Sequence, residues 1–206
     1  MRDLLLATGN PHKLEEVRAV LEPLGWCVLG LADLDGPVPP EPVEDESTFE
    51  GNARIKARAY AAATGRLALA DDSGLEVDAL GGAPGVRSAR FAGVEGDRAT
   101  RDAANNRLLI EKLQGVADSE RSARFVCAMC LASPDGAILA ESRGHFEGFI
   151  VSEPRGTNGF GYDPHLHLPE EGRTSAELAP EEKNARSHRG AATRAIAVKI
   201  AALELE

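Results

Sequence analysis

The spacing of apolar and polar positions divides the chain into short apolar runs and longer segments of helical period. Residues 3–7, Asp-Leu-Leu-Leu-Ala, predict a short buried strand. Leu14, Val17, Leu21 and Leu24 follow at spacings of three and four, which predicts a helix with one buried face. Asn10 is placed to cap it, Pro11 suits the first helical position, and Gly25 ends it. Residues 36–46 are rich in proline and acids and read as a loop. Ser47-Thr48-Phe49-Glu50 has the form of a capping box, opening an alanine-rich helix that runs to about Thr64 and stops at Gly65. Residues 67–70 predict a strand with Asp71-Asp72-Ser73-Gly74 at its end, and Gly81-Gly82-Ala83-Pro84-Gly85 a turn. Residues 97–114 predict a third helix, with Leu109 and Leu113 on its buried side. Residues 122–132 and 137–151 predict two strands around Ser133-Pro134-Asp135-Gly136, a hairpin. Residues 157–164 read as a glycine-rich loop, and Pro180 opens a helical region that ends in 191–205. This order predicts an α/β domain with a mixed sheet. No stretch reads as a linker, so residues 1–206 are taken as one domain.

Charge changes the picture. The net charge of −10 sets most of the surface against a nucleic-acid polymer, whose phosphates need lysine and arginine. A small anion needs only one basic pocket, so nucleotides stay open. The three cysteines, Cys27, Cys127 and Cys130, are too few and too odd in number for a disulfide framework and fit a reducing compartment. Cys127 and Cys130 have CxxC spacing but lie in a strand-like run, where positions three apart face opposite ways, so they read as buried apolar residues and not as metal ligands. No signal peptide and no run of about 20 apolar residues is visible. The expected location is the cytoplasm, with no membrane partner.

Five segments carry candidate chemistry. In Thr8-Gly9-Asn10-Pro11-His12-Lys13 a strand gives way to a helix, a geometry that aims backbone N–H groups and the positive helix end at an anion. Lys13 opposes the helix dipole there, which a nearby anion would explain; taken alone, the segment fits a plain capped turn with a surface lysine better. Asp71 and Asp72 face opposite ways, so one can serve a metal while the other is held by donors; oxygen ligands suit Mg²⁺, and Glu44 is a candidate second ligand. Asn52 and Lys56, four apart, share a helix face. Asn158-Gly159-Phe160-Gly161-Tyr162-Asp163-Pro164 places two aromatics beside glycines, so that Phe160 can stack on a base and Asp163 accept from a base N–H. Lys183, His188 and Arg189 gather near a helix entry, where arginine suits a phosphate or carbonyl edge.

In this order the segments resemble the inosine/xanthosine triphosphate pyrophosphatase family, the HAM1-like non-canonical purine nucleoside triphosphatases. The stretches that carry the resemblance are Thr8-Gly9-Asn10-x-x-Lys13, Thr48-Phe49-x-x-Asn52-Ala53-x-x-Lys56-Ala57, Ala70-Asp71-Asp72-Ser73-Gly74-Leu75, Gly82-Ala83-Pro84-Gly85-Val86, Phe160-Gly161-Tyr162-Asp163-Pro164, Glu177-Leu178 with Glu182-Lys183, and Ser187-His188-Arg189-Gly190. The resemblance implies an elongated mixed sheet flanked by helices in two lobes, with a central nucleotide-binding cleft, in a homodimer. It implies Mg²⁺-dependent hydrolysis of ITP, dITP and XTP to monophosphate and pyrophosphate. By matching positions, Thr8, Gly9, Asn10, Pro11, His12, Lys13, Lys56 and Lys183 hold phosphates, with Asn52 on the same helix face as Lys56. Glu44 (or Glu46, depending on the count back from Phe49) and Asp72 bind metal, and Asp72 is the catalytic base. Ser73, Phe160, Gly161, Tyr162, Asp163, Lys183, His188 and Arg189 contact substrate. Arg87 departs from the pattern, standing where many relatives carry an aromatic.

Hypoxanthine and xanthine present a 6-oxo acceptor and an N1–H donor, the reverse of adenine. Asp163 accepting from N1–H, with Arg189 or His188 donating to O6, would therefore reject ATP. Two alternatives stand beside this reading: a Maf-like nucleotide pyrophosphatase acting on other bases, and a non-catalytic nucleotide-binding protein.

Overall fold

The computed structural model describes residues 2–203. Seven strands form one sheet in the order β2-β1-β3-β4-β5-β6-β7, with β1 Arg2–Leu6, β2 Trp26–Leu29, β3 Ala68–Val77, β4 Ser122–Ala132, β5 Ile138–Ile150, β6 Leu166–Leu168 and β7 Arg173–Thr174. β1 pairs in parallel with β2 and β3, whereas β6 pairs antiparallel with β5 and β7, so the sheet is mixed. The helices are α1 Pro11–Leu21, α2 Phe49–Thr64, α3 Arg98–Lys112, α4 Pro180–Arg186 and α5 His188–Ala201.

The chain divides into two compact units. The first comprises residues up to Asp72, Cys127–Gly144, and His188 onward; the second comprises Ser73–Val126 and His145–Ser187. In the first, Leu4, Leu5 and Leu6 are fully buried although successive residues of a strand face opposite ways. Both faces are therefore covered, as parallel strands require. Leu4 and Leu6 pack with Val17, Leu21 and Ile196 in one cluster, and Leu5 with Ala53, Ala57 and Tyr60 in another. Each such leucine contributes about 1.5–3 kcal/mol by leaving water. Cys127 lies in the first cluster and Cys130 in the second, as strand alternation predicts. In the second unit, Leu75, Leu109, Leu113, Phe125, Tyr162 and Leu166 form one core.

The helix starts and stops follow the capping residues. The Asn10 side chain accepts from His12 N–H at 3.1 Å with Pro11 next to it, and Gly25 and Gly65 close their segments in the left-handed conformation. Several expectations need correction. Leu24 is exposed, because the last turn before Gly25 tightens to a 3₁₀ turn, Glu22–Leu24, and rotates it off the buried face. The cap of α2 is Thr48, which accepts from Gly51 N–H, so Glu50 is no capping partner and instead pairs with Arg143 at 2.5 Å. β3 continues to Val77, so Asp71 and Asp72 lie in mid-strand and not at its end. The final helical region breaks at Ser187 into α4 and α5, and the last residues expected in it lie outside those described. β2, β6 and β7 are additions that the sequence pattern did not give.

Candidate active site

β3 sets the centre of the first unit's site. Strand alternation sends Asp71 and Asp72 to different partners. Asp71 is 2% exposed; its Oδ2 accepts from Lys13 Nζ at 2.8 Å and lies 3.4 Å from Arg189 Nε. Arg189, equally buried, is also held by Glu16 at 2.6 Å. Burial pushes the Asp71 carboxyl up, but Lys13, Arg189 and Lys56 outweigh it and hold the group well below the usual carboxylate range. Asp72 receives Asn52 Nδ2 at 3.0 Å, and for it burial wins. Its carboxyl sits above the ordinary value, pushed further by Glu44 against the pull of Lys56 and Asn52. Two adjacent residues of one type thus carry opposite shifts: Lys13, Arg189 and Lys56 together outweigh burial at Asp71, whereas at Asp72 burial, helped by Glu44, outweighs Lys56, Asn52 and Lys13.

α2 supplies the rest. Asn52 and Lys56 are both buried on the face turned to β3, as their spacing predicts, while Arg54 pairs with Glu141 elsewhere. Lys56 meets Glu44 at 3.2 Å; burial lowers its pKa, but Asp71, Asp72 and Glu44 together raise it above the usual value. Glu46 is exposed and contributes its backbone N–H to Asn52 Oδ1, so the geometry brings Glu44, not Glu46, toward Asp72.

The loop before α1 differs from its expectation in two ways. Asn10 N–H is taken by Thr8 Oγ1 and His12 N–H by Asn10 Oδ1, so two of the amides expected to face an anion are satisfied internally. Gly9 is not in the left-handed region; the space where a Cβ would stand is empty to 4 Å, which leaves the loop's surface bare. Pro11 and His12 are exposed, and Lys13 turns inward to Asp71. The anion that relieves Lys13 is thus part of the chain.

The donor chemistry fits a hard divalent cation. Lys13, Lys56 and Arg189 are interleaved with Glu16, Glu44, Asp71 and Asp72, which leaves one negative charge in excess. Asp72 and Glu44 offer carboxylate oxygens of the kind Mg²⁺ accepts. No group of three or more His, Cys, Asp and Glu that could hold a metal occurs among the described residues. Such an ion would complete its shell with water and phosphate oxygens, as Mg²⁺ commonly does.

The second unit carries the aromatic loop. Asp163 is 2% exposed; its oxygens accept from Phe160 N–H at 2.7 Å, Lys183 Nζ at 2.6 Å and Ser175 Oγ at 2.8 Å. It is a buried anchor of the loop, not the free acceptor for a base N–H that the sequence suggested. Tyr162 is a core residue: it is buried, and its hydroxyl donates to Ser88 C=O at 2.9 Å. Gly161 is gripped on both sides, its N–H by Asp102 and its C=O by Asn106. Phe160 is half-buried, with the Arg98 guanidinium 4.2 Å and Lys183 Nζ 5.3 Å from its ring centroid. Arg189 belongs to the first unit's ion network, between Asp71 and Glu16, and that network explains why a charged residue sits at the second position of α5. His188 is buried at the first position of α5, and Ser73 is half-buried on β3. Sequence reasoning missed Glu16, Ser175, Arg98, Asp102 and Asn106. Only Asn105-Asn106 gave a signal, since asparagine is a poor residue for mid-helix.

The Ham1 family model matches residues 4–199. The chain belongs to the Ham1 family. A dITP/XTP pyrophosphatase from an Exiguobacterium species is 53% identical over 197 residues, covering 96% of this chain and 96% of its own. One from Thermus thermophilus is 51% identical and covers 94% of this chain and 89% of its own. Among solved structures, a HAM1 protein from Coxiella burnetii superposes with TM-score 0.87 at 41% identity, over 98% of this chain and 100% of that one. A nucleoside-triphosphatase / dITP/XTP pyrophosphatase from Mycobacterium abscessus gives 0.74 at 45% identity, over 95% and 96%. Ham1 membership sets aside the Maf-like alternative and confirms the mixed α/β sheet with flanking helices.

Proposed function

We propose that this Ham1 chain, acting as one domain over residues 1–206, hydrolyses non-canonical purine nucleoside triphosphates (ITP, dITP and XTP) to monophosphate and pyrophosphate in the cytoplasm. The observation that carries this is the pairing on β3 of two carboxylates with opposite shifts, Asp71 bonded to Lys13 and held low, Asp72 bonded to Asn52 and raised by burial, with Lys13 and Lys56 acting on both. The names of the relatives point to the same reaction.

A triphosphate brings about four negative charges, and phosphoryl chemistry is mostly positioning and charge stabilisation. Mg²⁺ held by Asp72 and Glu44 would offset that charge and the excess carboxylate. Asp72 accepts a proton from the water that attacks the α-phosphorus. The bond from that phosphorus to the bridging oxygen breaks, and pyrophosphate leaves. Lys13 and Lys56 each have three N–H donors, of which one is engaged by Asp71 or Glu44, so both can also meet the leaving phosphates.

Base recognition falls to the second unit. Phe160 offers a ring to stack on the purine. Lys183, anchored by Asp163 beside that ring, is placed as a donor to a 6-oxo group. Adenine presents an amino group there and leaves both donors unpaired, a mismatch that can cost a factor of about 10⁴. The homodimer implied by the family resemblance completes the proposal, and light scattering checks it as twice the chain mass.

The test is pyrophosphate release across ITP, XTP, GTP and ATP, with and without Mg²⁺. Fast release from ITP and XTP and little from ATP is expected. Comparable rates on ATP and ITP would sink the proposed base recognition, and binding without release would return the chain to a non-catalytic role.

A further inference from the structure

Arg98, Asp102 and Asn106 stand four residues apart on α3 and so form one stripe along the helix. Each of the three engages the loop that carries Phe160. Asp102 Oδ2 accepts from Gly161 N–H at 3.0 Å, and Asn106 Nδ2 donates to Gly161 C=O at 2.9 Å. Arg98 lies over the Phe160 ring at 4.2 Å and is 3.7 Å from Asp102. Gly161 has φ +60°, a conformation that costs glycine nothing, so the clamp closes on a residue able to take the required turn. One residue earlier, Phe160 N–H is fixed to Asp163. The peptide groups on both sides of the Phe160 side chain are thereby tied to groups outside the loop's own backbone.

We propose that Asp102 and Asn106 are positioning residues for substrate selection: they hold Gly161 so that Phe160 presents its ring at a fixed angle, with Arg98 backing it. This rests on the reading that Phe160 takes the base. A loop with these bonds removed still folds onto its core through Tyr162, but its aromatic residue samples several orientations, and the base loses its platform before the triphosphate loses its grip.

The experiment measures kcat and KM for ITP and ATP, and inhibition by inorganic tripolyphosphate, which has no base. Asn106→Ala and Asp102→Ala are each expected to raise KM for ITP roughly tenfold, the usual effect of one lost hydrogen bond, with kcat within about twofold. Inhibition by tripolyphosphate stays as in the wild type, and the preference for ITP over ATP falls. Asp102→Asn keeps an acceptor for Gly161 N–H and recovers most of the loss. Asn106→Asp keeps the shape and loses the donor, so it behaves as Asn106→Ala even if that variant folds poorly. In a Phe160→Ala background, adding Asn106→Ala changes KM no further. An unchanged KM in both Asn106 variants, or an effect that simply adds to that of Phe160→Ala, overturns the clamp. If Phe160→Ala alone leaves KM for ITP unchanged, the base-stacking reading itself is wrong.

Discussion

Replacing each of the two adjacent aspartates of β3 with asparagine separates support from chemistry. In Asp71→Asn the shape is kept and the charge lost, leaving Lys13 and Arg189 without the carboxylate that faces both. The site is 2% exposed, so water cannot take over that role. Removing one partner of a buried ion pair typically costs about 3–5 kcal/mol. At about 2–4 °C per kcal/mol for a chain of this size, melting should fall by roughly 6–20 °C. Asp72→Asn should behave in the opposite way. The fold raises the Asp72 pKa, so the folded state binds that proton more tightly than the unfolded chain does. Its contribution to stability is then greatest at low pH and is lost as pH rises through the folded value; at neutral pH the ionised group costs stability. The amide escapes that cost and still accepts from Asn52, so stability should change by less than about 1 kcal/mol or rise. Turnover should fall by about 10²–10⁴, the scale of a lost general base. The assay is urea unfolding at pH 7 in EDTA, run beside pyrophosphate release from ITP. Equal stability losses in the two variants, or a loss below about 1 kcal/mol in Asp71→Asn, would refute the division of labour.

Other tests follow from the same structure. A methyl group at Gly159 would collide with the Asp163 carboxylate and stand 2.9 Å from Lys183 Nζ, at a backbone φ of +77°. Gly159→Ala should therefore raise KM for ITP and leave tripolyphosphate inhibition intact; an unchanged KM removes Lys183 from base recognition. Burial pushes the Cys130 thiol up to about 12 and Cys127 higher still. A thiol reagent at pH 8 should thus modify only half-buried Cys27 in the native protein and all three cysteines in denaturant. Asp78 is held at about 2, against an ordinary 3.8, by Arg124 and then Ser122. The stability it adds should be present above that ordinary value and lost as pH falls toward 2. Because the carboxylate is 46% exposed, the gap between wild type and Asp78→Asn in acid titration should not exceed about 1 kcal/mol. A gap that persists at pH 2 contradicts the assignment.

Local signals made much of this molecule legible. Asn10-Pro11, Thr48 and Gly65 determine helix ends through bonds to residues two to four positions away, which a sequence displays directly. β2, β6 and β7 escaped because two to four residues are too few to show a period, and their pairing depends on strands elsewhere. The acids and cations were located correctly as a set, but their pairing was not visible. Lys13 meets Asp71 58 residues away, and Arg189 meets it 118 residues away. Read locally, a charged residue in a glycine-rich loop looks free for a ligand, as Asp163 did. Only the fold shows that Lys183 and Ser175 already occupy it. The α3 stripe was hidden for a related reason: Asp102 and Asn106 act on a backbone peptide, and a glycine's N–H and C=O leave no mark in sequence.

Placing the two aspartates in the middle of β3 has a consequence for how this gene tolerates change. A strand's facing alternates with each residue, so a one-codon deletion between Ala68 and Asp71 would move Asp72 into the basic pit and put Ser73 where the proton acceptor stood. A one-codon insertion would put Ala70 in the pit and Asp71 in the acceptor position. Neither removes an aspartate, yet each empties one of the two posts. The stretch should accept many conservative substitutions and no change of length, whereas loop 36–46 has no alternation to break. In a library of codon insertions and deletions, survivors should accumulate in that loop up to the approach to Glu44 and vanish across Ala68–Val77.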